Sequence, residues 1–160
     1  MKMNMKLKTW QKNVLSATVI VVGGFILWNA AFMLAAGVNR LYALVAGLLS
    51  GKENVPEIGM AWIYVYLAVV LLISWFVFRA KRFIAMIKAT YLAMPLMVVL
   101  ILMGIQLYQQ PKWVPISIGG VIVLVVLGFL YLKKLPWHYY FATVYTAAMA
   151  LYVVLAGIEI

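Results

Sequence analysis

Five stretches of the chain, each about twenty residues or longer, run almost free of charge: 13–36, 58–78, 83–108, 114–132 and 137–158. An α-helix rises about 1.5 Å per residue and the hydrocarbon core of a bilayer is about 30 Å thick, so segments of this length cross it. Inside hydrocarbon no water is present to satisfy the backbone N–H and C=O groups, and a crossing segment closes those bonds within itself as a helix. The expected fold class is therefore all-α: a polytopic membrane helix bundle with about five transmembrane helices. Residues 1–160 then form a single transmembrane domain, with 1–12 as a basic tail. Composition points the same way, because only 10% of residues are charged and 68% are apolar. Soluble domains carry about 25% charged residues, and so few charges cannot coat a surface against water.

Neither the basic charge nor the lysine-rich N-terminus leads away from the membrane. The formal net charge of +10 suits phosphate backbones in general, yet the lysines and arginines stand beside apolar spans rather than on a soluble face, so no nucleic-acid partner is expected. The N-terminal lysines followed by an apolar run resemble a secretory signal, but such apolar regions extend about 7–15 residues. The run here exceeds twenty and reads as a span.

The separators are short. Arg79-Ala80-Lys81-Arg82, Gln109-Gln110-Pro111-Lys112 and Lys133-Lys134-Leu135-Pro136 leave no room for anything but antiparallel neighbours. Lysine and arginine concentrate in short cytoplasmic loops. Residues 1–12, the 79–82 loop with Lys88, and the 133–134 turn hold ten of them, while the other side holds Arg40, Lys52 and Lys112. That alternation predicts a cytoplasmic-membrane protein with its N-terminus in the cytoplasm and its C-terminus outside. The three acids, Glu53, Glu57 and Glu159, all fall on the outer side. Trp10, Tyr131, Trp137 and Tyr139 at one face, and Tyr108 and Trp113 at the other, suit interfacial belts. Lys88, the one charge inside a span, lies near its start and can snorkel to the head groups.

Residues 38–50 are apolar but too short to cross, a length typical of interfacial or re-entrant segments. A short interfacial or re-entrant helix between helices 1 and 2 is expected, with a simple extension of the first helix as the alternative. No internal repeat accompanies the odd number of spans, so homo-oligomerisation is the remaining route to symmetry.

Lipid offers helices no hydrophobic drive to associate, so small residues at four-residue spacing mark where backbones approach. Ala85, Ala89 and Ala93 form one such stripe, and Ala142, Thr146 and Ala150 another. Glycines 23, 24, 120 and 128 extend the pattern to the first and fourth spans. Pro95 is expected to kink the third, since it lacks an N–H and crowds the preceding turn. Asn29, Thr90, Gln106, Thr143 and Thr146 suit interhelical hydrogen bonding.

Catalytic chemistry is hard to place. Cysteine is absent, aspartate is absent, and His138 is the single histidine. Intramembrane acid–base chemistry needs carboxylates or histidines within the bilayer, and Ser16 and Ser74 have no histidine at matching depth. No catalytic residue, metal site or cofactor is expected. The candidate ligand-binding residues are Trp28, Asn29, Arg40 and Gln106 beneath an apolar cap, with Tyr145 and Tyr152, seven residues apart, as a second stripe. Lys2, Lys6, Lys8 and Lys12 suit anionic lipid head groups.

In size, span number and long first loop the chain resembles the tryptophan-rich sensory (translocator) proteins, a likeness that implies tetrapyrrole or sterol binding. The likeness is architectural: that family's tryptophan- and proline-rich motifs have no counterparts here, and no residue is carried over. The residues themselves lead to a non-enzymatic multi-pass membrane protein. It would be an accessory or scaffold subunit of a membrane assembly, or a binder of an apolar ligand or lipid, with other membrane subunits or copies of itself as partners. The alternative is a small homo-oligomeric channel or transporter for neutral or anionic solutes.

Overall fold

Among the described residues, the long apolar stretches are helical. The computed structural model describes residues 8–50, 61–107 and 109–156, which contain α1 (Thr9–Ser50), α2 (Ala61–Arg79), α3 (Ala85–Gln106), α4 (Trp113–Leu132) and α5 (Trp137–Ala156). All five are long and apolar enough to cross a membrane, and no strand occurs among the described residues. Lys2, Lys6, Lys52, the three glutamates, Tyr108 and the outermost residues of the second and fifth expected spans lie outside them.

Helix α3 is the hub. It touches all four other helices, and α1 and α5 also touch one another, so these three form a triangle. Helix α2 lies along the α1–α3 edge. Helix α4 lies along the other side, leaning mainly on α5 and meeting α3 sparsely. The composition of α3 explains its place: Ala89, Thr90, Ala93 and Pro95 are all buried and present little bulk to crowding neighbours. α3 is continuous through Pro95.

Residues 38–50 correct one expectation. They form no separate interfacial or re-entrant helix but continue α1, which reaches 42 residues. No proline interrupts this stretch, and alanine, leucine and arginine all favour helix. At about 1.5 Å per residue α1 extends roughly 63 Å, while α2–α5 extend roughly 28–33 Å. Tyr66, one turn into α2, lies level with Ala31, so α1 outruns its neighbours beyond about residue 38. There Leu41, Leu44, Val45 and Leu48 are exposed, Leu48 at 84%.

Gly23 and Gly24 set how closely α1 approaches the hub. A Cβ on Gly23 would stand 2.7 Å from Thr90 Cγ2, and one on Gly24 would stand 3.2 Å from Tyr145 Cε1 and 3.5 Å from Ala93 Cβ. Ile20, one turn below, is fully buried.

Side-chain hydrogen bonds revise the expected interhelical glue. Asn29 Nδ2 donates to Phe25 O at 2.8 Å, and the hydroxyls of Thr90, Thr143 and Thr146 donate to Met86, Tyr139 and Ala142 carbonyls, each four residues back in its own helix. A short side chain reaches that carbonyl more readily than a neighbouring helix. Longer side chains make the bridges: Tyr66 Oη donates to Ala31 O at 3.0 Å, Tyr145 Oη to Val21 O at 3.4 Å, and Lys88 Nζ to Phe78 O at 2.8 Å. Lys88 thus places its charge on the carbonyl end of α2, where a cation is favoured. Tyr66→Phe removes the buried bridge and keeps the ring. It is expected to lower stability by about 0.6–2 kcal/mol, read as a shift in the denaturing detergent fraction at half-unfolding.

The α4–α5 turn is pinned. Lys134 adopts φ 49°, its N–H donates to Tyr131 O, and the Leu135 N–H donates to Leu130 O. This left-handed closure is the Schellman arrangement. Leu135 packs on the buried group formed by Ala89, Leu130 and Tyr139, and Pro136 prevents α4 from continuing.

Candidate functional site: an apolar cleft between α3, α4 and α5

The pinned turn fixes only one end of α4. Near it Leu130 is buried, the only residue of α4 that is. Towards the other end α4 stands away from α3 and α5, and a cleft of about 350 Å³ opens between them. Its walls are Leu100 and Gly104 from α3, Pro115, Ile116, Gly119, Gly120, Val123 and Leu124 from α4, and Ala147, Ala150, Leu151 and Val154 from α5. None of these side chains carries a polar atom. The volume lies at the low end of the range for small-molecule sites, about 300–1,000 Å³, and the cleft is open along one side rather than enclosed.

Small residues create this space. Glycine in a membrane helix usually permits backbones to touch. Here a Cβ added to Gly104 or Gly120 would meet nothing within 4 Å, and one on Gly119 would meet only Leu100 Cδ2 at 3.4 Å. These glycines are spent on volume. Gly23 and Gly24, in contrast, are spent on contact.

The residues singled out from the sequence distribute differently. Trp28 and Tyr145 do meet, with Gly24, Phe25, Ala93, Met97 and Thr146, around a hollow of about 10 Å³ on the α1–α5 side, about one water's worth of space. Trp28 Nε1 has no hydrogen-bond partner there, and Trp28 packs edge-on against Phe25. Asn29, Arg40, Gln106 and Tyr152 are exposed and line neither space. The outer pocket of Trp28, Asn29, Arg40 and Gln106 is therefore not assembled, because the continuation of α1 carries Arg40 beyond the bundle instead of folding back as a cap. Within the small-residue stripes, Ala89, Ala93, Ala142 and Thr146 are buried, Ala85 is exposed, and Ala150 is half-buried in the cleft wall. Lys8 and Lys12 are exposed at the start of α1.

Sequence patterns did not single out the cleft. Its signal was present as Gly119-Gly120 facing Ala147 and Ala150, but glycines that pack and glycines that leave room look alike until the helices are placed. His138 stacks on Trp137 with ring centroids 4.4 Å apart, away from the cleft. No group of three or more potential metal ligands occurs among the described residues. An arrangement of this kind can exclude water and hold hydrocarbon by dispersion contacts. It offers nothing that moves a proton.

Comparison with known proteins gives no match among family models, curated proteins or solved structures.

Proposed function

We propose that this chain is a non-enzymatic protein of the cytoplasmic membrane that binds an apolar ligand, seating a lipid hydrocarbon chain in the α3–α4–α5 cleft. One observation carries the reading: a cleft of about 350 Å³ lined only by apolar side chains, with Gly104 and Gly120 at positions where an added Cβ would meet nothing within 4 Å. Walls without partner atoms forfeit dispersion energy, and the surrounding bilayer supplies chains that restore it. The distribution of lysine and arginine supports a cytoplasmic N-terminus, which sets the cleft in the outer half of the bilayer. The absence of aspartate from the sequence and the apolar walls support a role without catalysis. Native mass spectrometry of the protein released from mild detergent tests the reading. The expected result is one lipid adduct per chain that survives activation stripping annular lipid; a bare chain under those conditions overturns it.

A second reading, subunit association, is favoured by a separate observation. Leu41, Leu44, Val45 and Leu48 are exposed on the extended end of α1. We propose self-association there. The chain lacks cysteine, so Leu44→Cys introduces a unique thiol. Oxidation in membranes is expected to yield a disulfide-linked dimer, whereas Leu124→Cys on α4 yields none. Equal cross-linking at both positions removes this reading.

A further inference from the structure

The ligand class of the cleft follows from what stands at its mouth. Lys112 precedes the first residue of α4 and has helical backbone angles, φ −52° and ψ −28°. It therefore continues the helical track, and residues three and four further on share its face. Those residues are Pro115 and Ile116, which line the cleft nearest the start of α4, followed on the same stripe by Gly119 and Val123. Lys112 is exposed. Beside it Trp113 is exposed at 68%, as suits a ring at head-group level, and the polar Gln109-Gln110 turn precedes it. One face of α4 thus presents a single cation immediately above an uncharged apolar slot. We infer that the occupant is a phospholipid, with one acyl chain in the cleft and its phosphate on Lys112.

This inference rests on the cleft holding hydrocarbon, the reading proposed for it, and adds the anionic group. A two-chain lipid suits the open side, because the second chain can lie in the bilayer while the first is enclosed. An ammonium near the head-group plane attracts anionic lipid, and its long stem lets the charge leave the slot for the interface.

The test compares dioleoylphosphatidic acid with dioleoylglycerol, which share their chains and differ in the phosphate. Each is added at equal amounts to delipidated full-length protein, and bound lipid is counted by native mass spectrometry. Wild-type protein is expected to retain the phospholipid roughly fivefold over the diacylglycerol. Lys112→Gln is expected to bring that ratio to about one while leaving diacylglycerol retention unchanged, and Lys112→Arg to keep the preference. A ratio that Lys112→Gln does not alter overturns the phosphate assignment and leaves the hydrocarbon reading standing. Oleate competing as well as the phospholipid overturns it in favour of a single-chain acid. Retention of neither lipid, or a protein dimer in place of an adduct, overturns both.

Discussion

Gly120→Leu is expected to leave the bundle folded and to remove its bound lipid. A Cβ at Gly120 meets nothing within 4 Å and Gly120 lines the cleft, so a leucine there is expected to extend into space otherwise left to the ligand. Forcing extra methylenes into an occupied space costs about 1–3 kcal/mol, which corresponds to a loss of lipid affinity between roughly fivefold and more than a hundredfold. Stability should stay level or rise, because glycine is about 0.8–1 kcal/mol worse than the best helix formers in a helix interior. Gly128→Leu is the matched control. It lies on the same helix with equally open surroundings but does not line the cleft. Lipid adducts counted side by side decide the matter: loss in Gly120→Leu with retention in Gly128→Leu supports a seated chain. Equal loss in both would assign the effect to general contact with the bilayer and end the cleft reading.

The second large effect runs in the opposite direction at a residue of the same type. Gly23→Ala places a carbon 2.7 Å from Thr90 Cγ2, well inside contact distance. Thr90 cannot easily yield. Its hydroxyl donates to Met86 O at 3.0 Å, and branching at Cβ restricts its rotamers in a helix. The helices must move apart, and a destabilisation of about 1–3 kcal/mol is expected, measured as the shift in unfolding midpoint in mixed micelles. Thr90→Ser removes the offending methyl and retains the hydroxyl. The double variant Gly23→Ala/Thr90→Ser should therefore recover most of the loss, a coupling that appears only between residues in contact. Additive losses would show that α1 and α3 do not meet at this point. Gly104→Ala, with nothing nearby, is expected to cost little.

These two glycines mark the boundary of what is legible in sequence. The stripes of small residues identified helix-facing positions, and the structure buries Ala89, Ala93, Ala142 and Thr146. Spacing could not show that Gly23 and Gly24 of α1 meet a neighbour while Gly104 of α3 and Gly120 of α4 do not. Likewise the polar residues inside the spans were visible, but short hydroxyls and Asn29 close on their own helix, and the bridges fall to Tyr66, Tyr145 and Lys88. Reach decides this: a side chain of three or four heavy atoms finds a carbonyl one turn back, while a tyrosine or lysine crosses to the next helix. The grouping of Trp28 and Asn29 with Arg40 and Gln106 assumed that residues 38–50 fold back over the bundle. Continuous helix there separates them, and a break was never encoded by a proline.

Sequence alone determined that the chain is helical, where its five helices long and apolar enough to cross a membrane lie, and that its connections between α2 and α5 are tight. Each of these is a property of a segment and its solvent: hydrocarbon demands internally satisfied backbone, and about twenty apolar residues meet its thickness. Which helix becomes the hub, how far α1 outruns the rest, and where α4 parts from α5 to leave a cleft were settled only by tertiary packing. Those outcomes depend on side chains distant in the chain competing for the same space, and no local pattern contains that competition.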